Sequence, residues 1–180
     1  MKKYLFVCII LFCILCTGCG FELRSKNLFP TELDHLYYTS DKPYSTLSTQ
    51  LIILFQSLGV HLQKNEKNTR FSVIISNDIF SYGRPEVVNA SLPTNINFSQ
   101  TATITIRDNL KNKIIASQSF TTNQSLTLNA NQIYTSNANN MIKQELNREM
   151  VSIIYYWVIS SNLRDNLHHA ITDQTTQLTS

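Results

Sequence analysis

The fold is decided by Thr101-Ala102-Thr103-Ile104-Thr105-Ile106-Arg107, a heptapeptide in which small or aliphatic residues alternate with threonines. Successive side chains of a β-strand point to opposite faces, so this period of two predicts a strand with one apolar face and one hydroxyl face. Asp108 to Asn112 supplies residues typical of a turn, and Lys113 to Thr122 predicts a further strand carrying Ile115 and Phe120. The two strands are predicted to pair as a hairpin.

Two further strands are predicted before this hairpin. Residues 35 to 39 are rich in strand-forming aromatics, and between residues 70 and 79 apolar residues alternate with serines, as in a half-buried strand. The stretch from Ser81 to Asn97 contains one glycine and two prolines, which predicts a long loop between strands.

Two stretches have the period of amphipathic helices. The first begins near Ser45 and ends at Gly59, a residue suited to a left-handed helix cap, and its apolar stripe consists of Leu47, Leu51, Leu54, Phe55 and Leu58. The second is predicted from Asn137 to Ser160. Its last turns carry Tyr155, Tyr156 and Trp157, an aromatic run that indicates burial on more than one side, by the sheet on one side and by a partner or a membrane surface on the other.

The order strand, helix, three strands, helix predicts an α+β domain over residues 35 to 160. We expect a mainly antiparallel four-stranded sheet with two helices packed on one face, a two-layer sandwich. The other sheet face would meet water or a polar partner, since it carries the hydroxyls of Thr101, Thr103, Thr105, Ser72 and Ser76. Residues 161 to 180 are predicted to be a disordered polar tail, because they offer few apolar groups to offset the entropy of ordering.

The N-terminus has the three-part layout of an export signal. Lys2 and Lys3 precede an apolar block that is too short to span a bilayer, and a small pair, Thr17-Gly18, stands before Cys19. Cys16-Thr17-Gly18-Cys19 resembles the lipobox of bacterial lipoproteins. We therefore predict a signal peptide over residues 1 to 18 and a lipidated tether over residues 19 to 34, with diacylglycerol and an N-acyl chain on Cys19. A plain secreted protein and a single-span anchor are the alternatives.

Cleavage before Cys19 would change the composition of the chain. Three of the four cysteines lie in the removed segment and Cys19 becomes a thioether, which excludes a disulfide framework. Removing 18 of 180 residues leaves 162, enough for one domain. Loss of Lys2 and Lys3 lowers Lys plus Arg from 15 to 13 against 12 acidic residues, so the net charge falls from +3 to +1. A nearly neutral protein is a poor ligand for nucleic acid.

Motifs for catalysis or metal binding are absent from the sequence. There is no nucleophile elbow and no glycine-rich phosphate loop, and metal-ligand spacing is lacking among His35, His61, His168 and His169. Glu145 and Glu149 share one helix face, a pattern that is typical of a solvated surface. We therefore predict no catalytic residue, no metal and no cofactor beyond the lipid on Cys19.

The run Cys19-Gly20-Phe21-Glu22-Leu23-Arg24 resembles the start of the LPS-assembly lipoprotein family LptE. The usual run in that family is cysteine, glycine, aromatic, histidine, leucine, arginine, and Glu22 stands here in place of the histidine. Leu58-Gly59-Val60 after the first helix, Tyr134 before the last one, and Glu149-Met150 within it follow the same order. The resemblance covers most of the chain after Cys19.

This resemblance implies an outer-membrane lipoprotein that faces the periplasm and sits in the lumen of an LptD-like β-barrel. There it would act as plug and assembly factor while lipopolysaccharide is inserted into the outer leaflet. Gly20 agrees with an outer-membrane address, since an aspartate at that position usually retains a lipoprotein in the inner membrane. The resemblance also implies lipopolysaccharide binding through basic residues, for which Arg84 and Arg70 are the candidates.

Two other classes of function remain open from the sequence. One is a different outer-membrane lipoprotein that serves as an adaptor in a secretion, pilus or efflux complex. The other is a lipid-anchored periplasmic enzyme that would use Glu145 or Glu149.

Overall fold

The structure is a computed structural model that describes residues 29–83, 94–128 and 136–177. Its five strands are β1 His35–Ser40, β2 His61–Gln63, β3 Phe71–Tyr82, β4 Thr94–Asp108 and β5 Lys113–Leu128. Its three α-helices are α1 Thr46–Ser57, α2 Ser136–Val158 and α3 Ser161–Gln177, and 3-10 turns occupy Thr31–Leu33 and Glu66–Asn68.

The strands form one mixed sheet in the order β2-β1-β3-β4-β5. The predicted α+β class is confirmed, but the sheet has five strands rather than four, and β1 is parallel to both β2 and β3. The additional strand, β2, follows Gly59, whose φ of 83° turns the chain out of α1. Three residues are too few to show a period of two, so the sequence pattern could not indicate this strand.

The hairpin of β4 and β5 is longer than predicted. The expected loop from Ser81 to Asn97 is in part strand, because β3 continues to Tyr82 and β4 begins at Thr94. Ile96 and Phe98 are each only 1% exposed and extend the apolar face of β4 into this region. Arg84 and the rest of residues 84–93 lie outside the described residues.

The helices cover one face of the sheet. The predicted Ser45 caps helix α1, because its side chain accepts a hydrogen bond from the backbone N–H of Ser48. The predicted apolar stripe of α1 is buried. Helix α2 packs against α1, β4 and β5. In its last turn Tyr155 is buried, whereas Tyr156 is 64% exposed. One side of the aromatic run is thus covered within the chain, and burial of the other side by a partner or a membrane surface stays a prediction.

Both ends of the predicted domain have to be extended. Residues 161 to 177 form helix α3 instead of a disordered tail, and Leu163 and Leu167 insert into the main hydrophobic core. Four-residue spacing places these leucines on one helix face, and their burial compensates for an otherwise polar sequence. At the other end, Phe29 and Leu33 also belong to that core. The last residues of the predicted tether are thus part of the domain.

We expect Leu167→Ala to lower the free energy of unfolding by about 2–4 kcal/mol, since the side chain is fully buried and its removal leaves a cavity. The neighbouring exposed position provides the matched control Asn166→Ala, which should change stability by less than about 0.5 kcal/mol. Urea unfolding of the two variants and the parent checks this. Equal midpoints for all three would contradict the docking of α3.

A hydrogen bond ties β1 to α1 within this core. The Tyr38 hydroxyl and Ser48 Oγ lie 2.9 Å apart, and Ser48 is fully buried. Burial raises the pKa of Tyr38 from 10.0 to about 12, although the hydrogen bond with Ser48 partly offsets this increase. The nearby carboxylates of Asp78 and Asp41 raise the pKa slightly further. The folded state therefore retains the phenol proton more strongly than the unfolded chain does.

This shift predicts a stability loss in alkali. The contribution of Tyr38 is fully present below pH 10, where the phenol is protonated in both states, and is lost as the pH rises from about 10 to about 12. Thermal melting between pH 8 and pH 11.5 should show this decline, with Tyr38→Phe falling less steeply over the same range. A parallel decline of parent and variant would contradict the buried phenol.

Candidate functional site

The face of the sheet opposite the helices carries a ladder of hydroxyl groups. Three cross-strand pairs connect β4 and β5 through their side-chain oxygens: Thr101 and Thr121 at 3.2 Å, Thr103 and Ser119 at 2.8 Å, and Thr105 and Ser117 at 2.8 Å. Farther along the same strands, the Ser125 hydroxyl donates to Asn97 Oδ1 at 2.6 Å. This arrangement confirms the predicted hydroxyl face at Thr101, Thr103 and Thr105. We call these eight residues the hydroxyl ladder.

The ladder lies on two strands that carry no charge along most of their length. Residues 94–106 of β4 and residues 114–128 of β5 contain no Asp, Glu, Lys or Arg. Charged side chains of the hairpin stand at its turn, where Arg107, Asp108 and Lys113 are located. Each hydroxyl can both donate and accept a hydrogen bond, so the surface suits a polar, uncharged partner.

The two predicted serines of this face have different environments. Ser76 is opposite Thr103 in the sheet register and partly exposed. Ser72 is fully buried, and its hydroxyl donates to Asn109 Oδ1 at 2.7 Å. The Asn109 amide in turn donates to the Thr69 carbonyl at 3.1 Å, which closes this end of the face. Ser72 therefore stabilises a turn, whereas the prediction placed it in contact with water or a polar partner.

Arg70, a predicted lipopolysaccharide-binding residue, already has partners within the chain. Its guanidinium donates to the fully buried Asp108 carboxylate at 3.4 Å and to the Ala170 carbonyl at 3.2 Å. It also lies 5.3 Å from the ring centre of Phe71. These contacts give Arg70 a structural part in holding α3 against the sheet. Arg84 and Cys19 lie outside the described residues, so the structure brings no two predicted site residues together.

A cleft between α1 and α2 contains basic groups that the sequence analysis did not select. Its volume is about 200 Å³, and both Lys42 and Lys143 line it beside Ser45 and Thr46 at the start of α1. The Lys143 ammonium lies 5.5 Å from the ring centre of Phe80. Two ammonium groups beside a helix N-terminus can accept an anionic group such as phosphate, although Asp78 in the wall reduces the net positive charge. The Lys42 ammonium also donates a hydrogen bond to the Asp78 backbone carbonyl. Lys42 and Lys143 are distant in sequence, so no spacing could indicate them.

The candidate carboxylates and histidines are surface groups in the described part of the chain. Glu145 forms an exposed ion pair with Arg148 at 3.1 Å, and Glu149 is exposed on the same helix. The rings of His35 and His61 stack at 4.9 Å, and Nε2 of His168 lies 3.3 Å from Glu32. Over residues 29–83, 94–128 and 136–177, no three His, Cys, Asp or Glu side chains form a group that could hold a metal ion.

None of the helices that the structure describes has the length and apolar character needed to cross a membrane.

Comparison with known proteins yields matches in fold. No protein-family model matches the chain, and no curated protein matches its sequence. Solved bacterial lipoproteins share this fold. A minor lipoprotein from Acinetobacter baumannii superposes with a TM-score of 0.52 and 19% identity over 71% of this chain and 91% of that chain. An uncharacterized lipoprotein B from Nitrosomonas europaea superposes with a TM-score of 0.52 and 16% identity, over 75% of this chain and 87% of that chain.

The same fold occurs in a protein with a different name. A homolog of a neuraminyllactose-binding hemagglutinin from Helicobacter pylori superposes with a TM-score of 0.53 and 10% identity, over 84% of this chain and 98% of that chain. Identities this low demonstrate a common fold and leave the function to be argued from the residues of this chain.

Proposed function

We propose that the protein is an outer-membrane lipoprotein that acts as plug and assembly factor for an LptD-like β-barrel during insertion of lipopolysaccharide into the outer leaflet. The observation that carries this proposal is the uncharged hydroxyl ladder. A domain enclosed in a barrel needs a surface that can lose its water without leaving charges unpaired. Barrel interiors are polar, and hydroxyls can exchange their hydrogen bonds with water for hydrogen bonds with such a wall.

Membrane attachment in this proposal depends on Cys19. The export signal, the lipobox-like run and Gly20 all favour a lipid-anchored protein of the outer membrane. The two solved lipoproteins with the same fold are in keeping with this assignment. The domain that begins at Phe29 would then lie within about ten residues of the bilayer surface, close enough to meet an integral barrel.

Lipopolysaccharide contact would come through its phosphate groups. Arg84 remains the sequence-based candidate, and the cleft of Lys42 and Lys143 offers two further cations together with the start of α1. Arg70 is a weaker candidate for lipopolysaccharide binding, since its guanidinium already donates to the Asp108 carboxylate and the Ala170 carbonyl.

We expect Cys19→Ala to accumulate as an unprocessed precursor without lipid, because the cysteine sulfur is the acceptor of the diacylglycerol and the cut follows that modification. Intact-mass measurement of the purified parent and variant checks this, with Cys16→Ala as the matched control that should still be lipidated. A parent protein whose residue 19 carries no acyl chain would contradict the anchor.

We expect Thr103→Lys to reduce co-purification of the barrel about tenfold or more, because it places an ammonium in the middle of the uncharged hydroxyl ladder, where desolvation is costly. The measurement is affinity capture from detergent-solubilised membranes, followed by identification of the captured proteins.

Two controls accompany this capture experiment. Thr103→Ser keeps the hydroxyl and should capture normally, and Gln56→Lys adds the same charge at an exposed position of α1, on the opposite side of the sheet. Thermal melting should confirm that all variants are folded. Capture of a secretion, pilus or efflux complex instead of a barrel would refute the proposed function in favour of an adaptor. Normal capture by Thr103→Lys would refute the role of the ladder.

A further inference from the structure

Among the described residues, strand β5 forms one edge of the sheet, and its sequence lacks the charges and prolines that usually protect edge strands. From Ile114 to Leu128 it contains no charged residue and no proline. The opposite edge, β2, has only three residues. Natural proteins block exposed edges with lysines, prolines, bulges or very short strands, because unpaired backbone groups there can bind another strand. By this standard β2 is protected and β5 is open.

The open part of β5 is also regular. The single register shift between β4 and β5 lies near the turn, between Ile106 and Arg107, and pairing continues without interruption from Ala116 to Leu128. Most side chains along this part are exposed or only partly buried. The strand therefore presents a row of backbone donors and acceptors along its outer side. Within this row the Ser119 carbonyl accepts a hydrogen bond from the Gln118 side chain at 3.3 Å, which a partner strand would displace.

We propose that the β5 edge pairs in antiparallel orientation with the β5 edge of a second copy of this chain, across a two-fold axis at Thr121. The resulting sheet would have ten strands, with the hydroxyl ladders of both copies on one face. This inference stands independently of the barrel partner, since it concerns the chain in the absence of any other protein.

The side chains favour a second copy as the occupant because the strand is complementary to itself. With Thr121 on the axis, the residues that face each other on the ladder side are Ser117 with Ser125, and Ser119 with Asn123. These are hydroxyl and amide pairs of the kind that already connect β4 to β5 at 2.6–3.2 Å. No charged side chain is opposed by a like charge over this length.

Helix α2 adds a second feature beside the same edge. A groove of about 320 Å³ separates Gln124 of β5 from Met141, Glu145 and Arg148 of α2. Met141 is 63% exposed, and Glu145 and Arg148 form an ion pair at 3.1 Å. With Thr121 on the axis, Gln124 is opposite Gln118 of the second copy. Gln118 lies beside Asn162 and Asn166 at the start of α3. The polar start of α3 in the second copy would therefore close this groove and cover the exposed methionine.

Sedimentation of the purified full-length chain in detergent tests the proposal. We expect a dimer, and we expect Thr121→Lys to be monomeric, because two ammonium groups would oppose each other at the axis. Thr103→Lys is the matched control: it introduces the same charge on the same sheet face, one strand away from the edge, and should remain dimeric. All three proteins carry the same lipid anchor. A Thr121→Lys variant that remains dimeric would therefore indicate association through the acyl chains and would overturn the proposal.

Disulfide trapping provides a second readout that does not depend on affinity. Mild oxidation of Thr121→Cys should yield a covalent dimer, whereas Thr103→Cys and the parent chain should not, since only residues opposite each other across the axis come within disulfide distance. A monomeric parent, or trapping that is equal at both positions, would overturn the proposal. So would an adduct between Thr121→Cys and a different protein in membranes, which would assign the edge to a foreign strand. If Thr103→Lys still dimerises but no longer captures the barrel, the dimer interface is distinct from the surface that the proposed function requires.

Discussion

The structure depends on the register of β4, whose alternate side chains must satisfy two incompatible environments. Ala102, Ile104 and Ile106 are fully buried against the helices, so the threonines between them must face the other way. A slip of one residue would place hydroxyls in the core and aliphatic groups in water. This alternation therefore fixes how β3, β4 and β5 pair and which side of the sheet the helices can cover.

The same alternation links the fold to its surface chemistry. Because the threonines of β4 are opposite Ser117, Ser119 and Thr121, the outer face becomes a hydrogen-bonded ladder without formal charge. Such a face loses water at a smaller cost than a charged surface does. The ion pair of Arg70 with the buried Asp108 lies at one end of the sheet, where Arg70 also donates to the Ala170 carbonyl and holds α3 in place. The lack of charged residues along most of β4 and β5 thus explains both the neutral face and the uncharged β5 edge.

Strongly periodic segments were predictable from the sequence, whereas features built by distant residues were not. The β4 alternation and the α1 stripe gave correct elements, since each repeats its period several times. Helix α3 was missed because its apolar contribution is confined to Leu163, Leu167 and a few neighbours in a polar segment. The cleft of Lys42 and Lys143 combines residues from two elements, which only tertiary packing brings together. The predicted sites Cys19 and Arg84 lie outside the described residues and stay predictions.

Position-by-position photo-crosslinking along β4 in living cells tests the central claim most directly. A photoreactive amino acid would be placed in turn at residues 101 to 106, and adducts would be identified by mass. The account predicts adducts with an outer-membrane barrel at the three outward positions, Thr101, Thr103 and Thr105, and none at the three buried ones. Adducts without this alternation, or no barrel adduct at any outward position, would contradict the claim that the hydroxyl ladder is the partner surface.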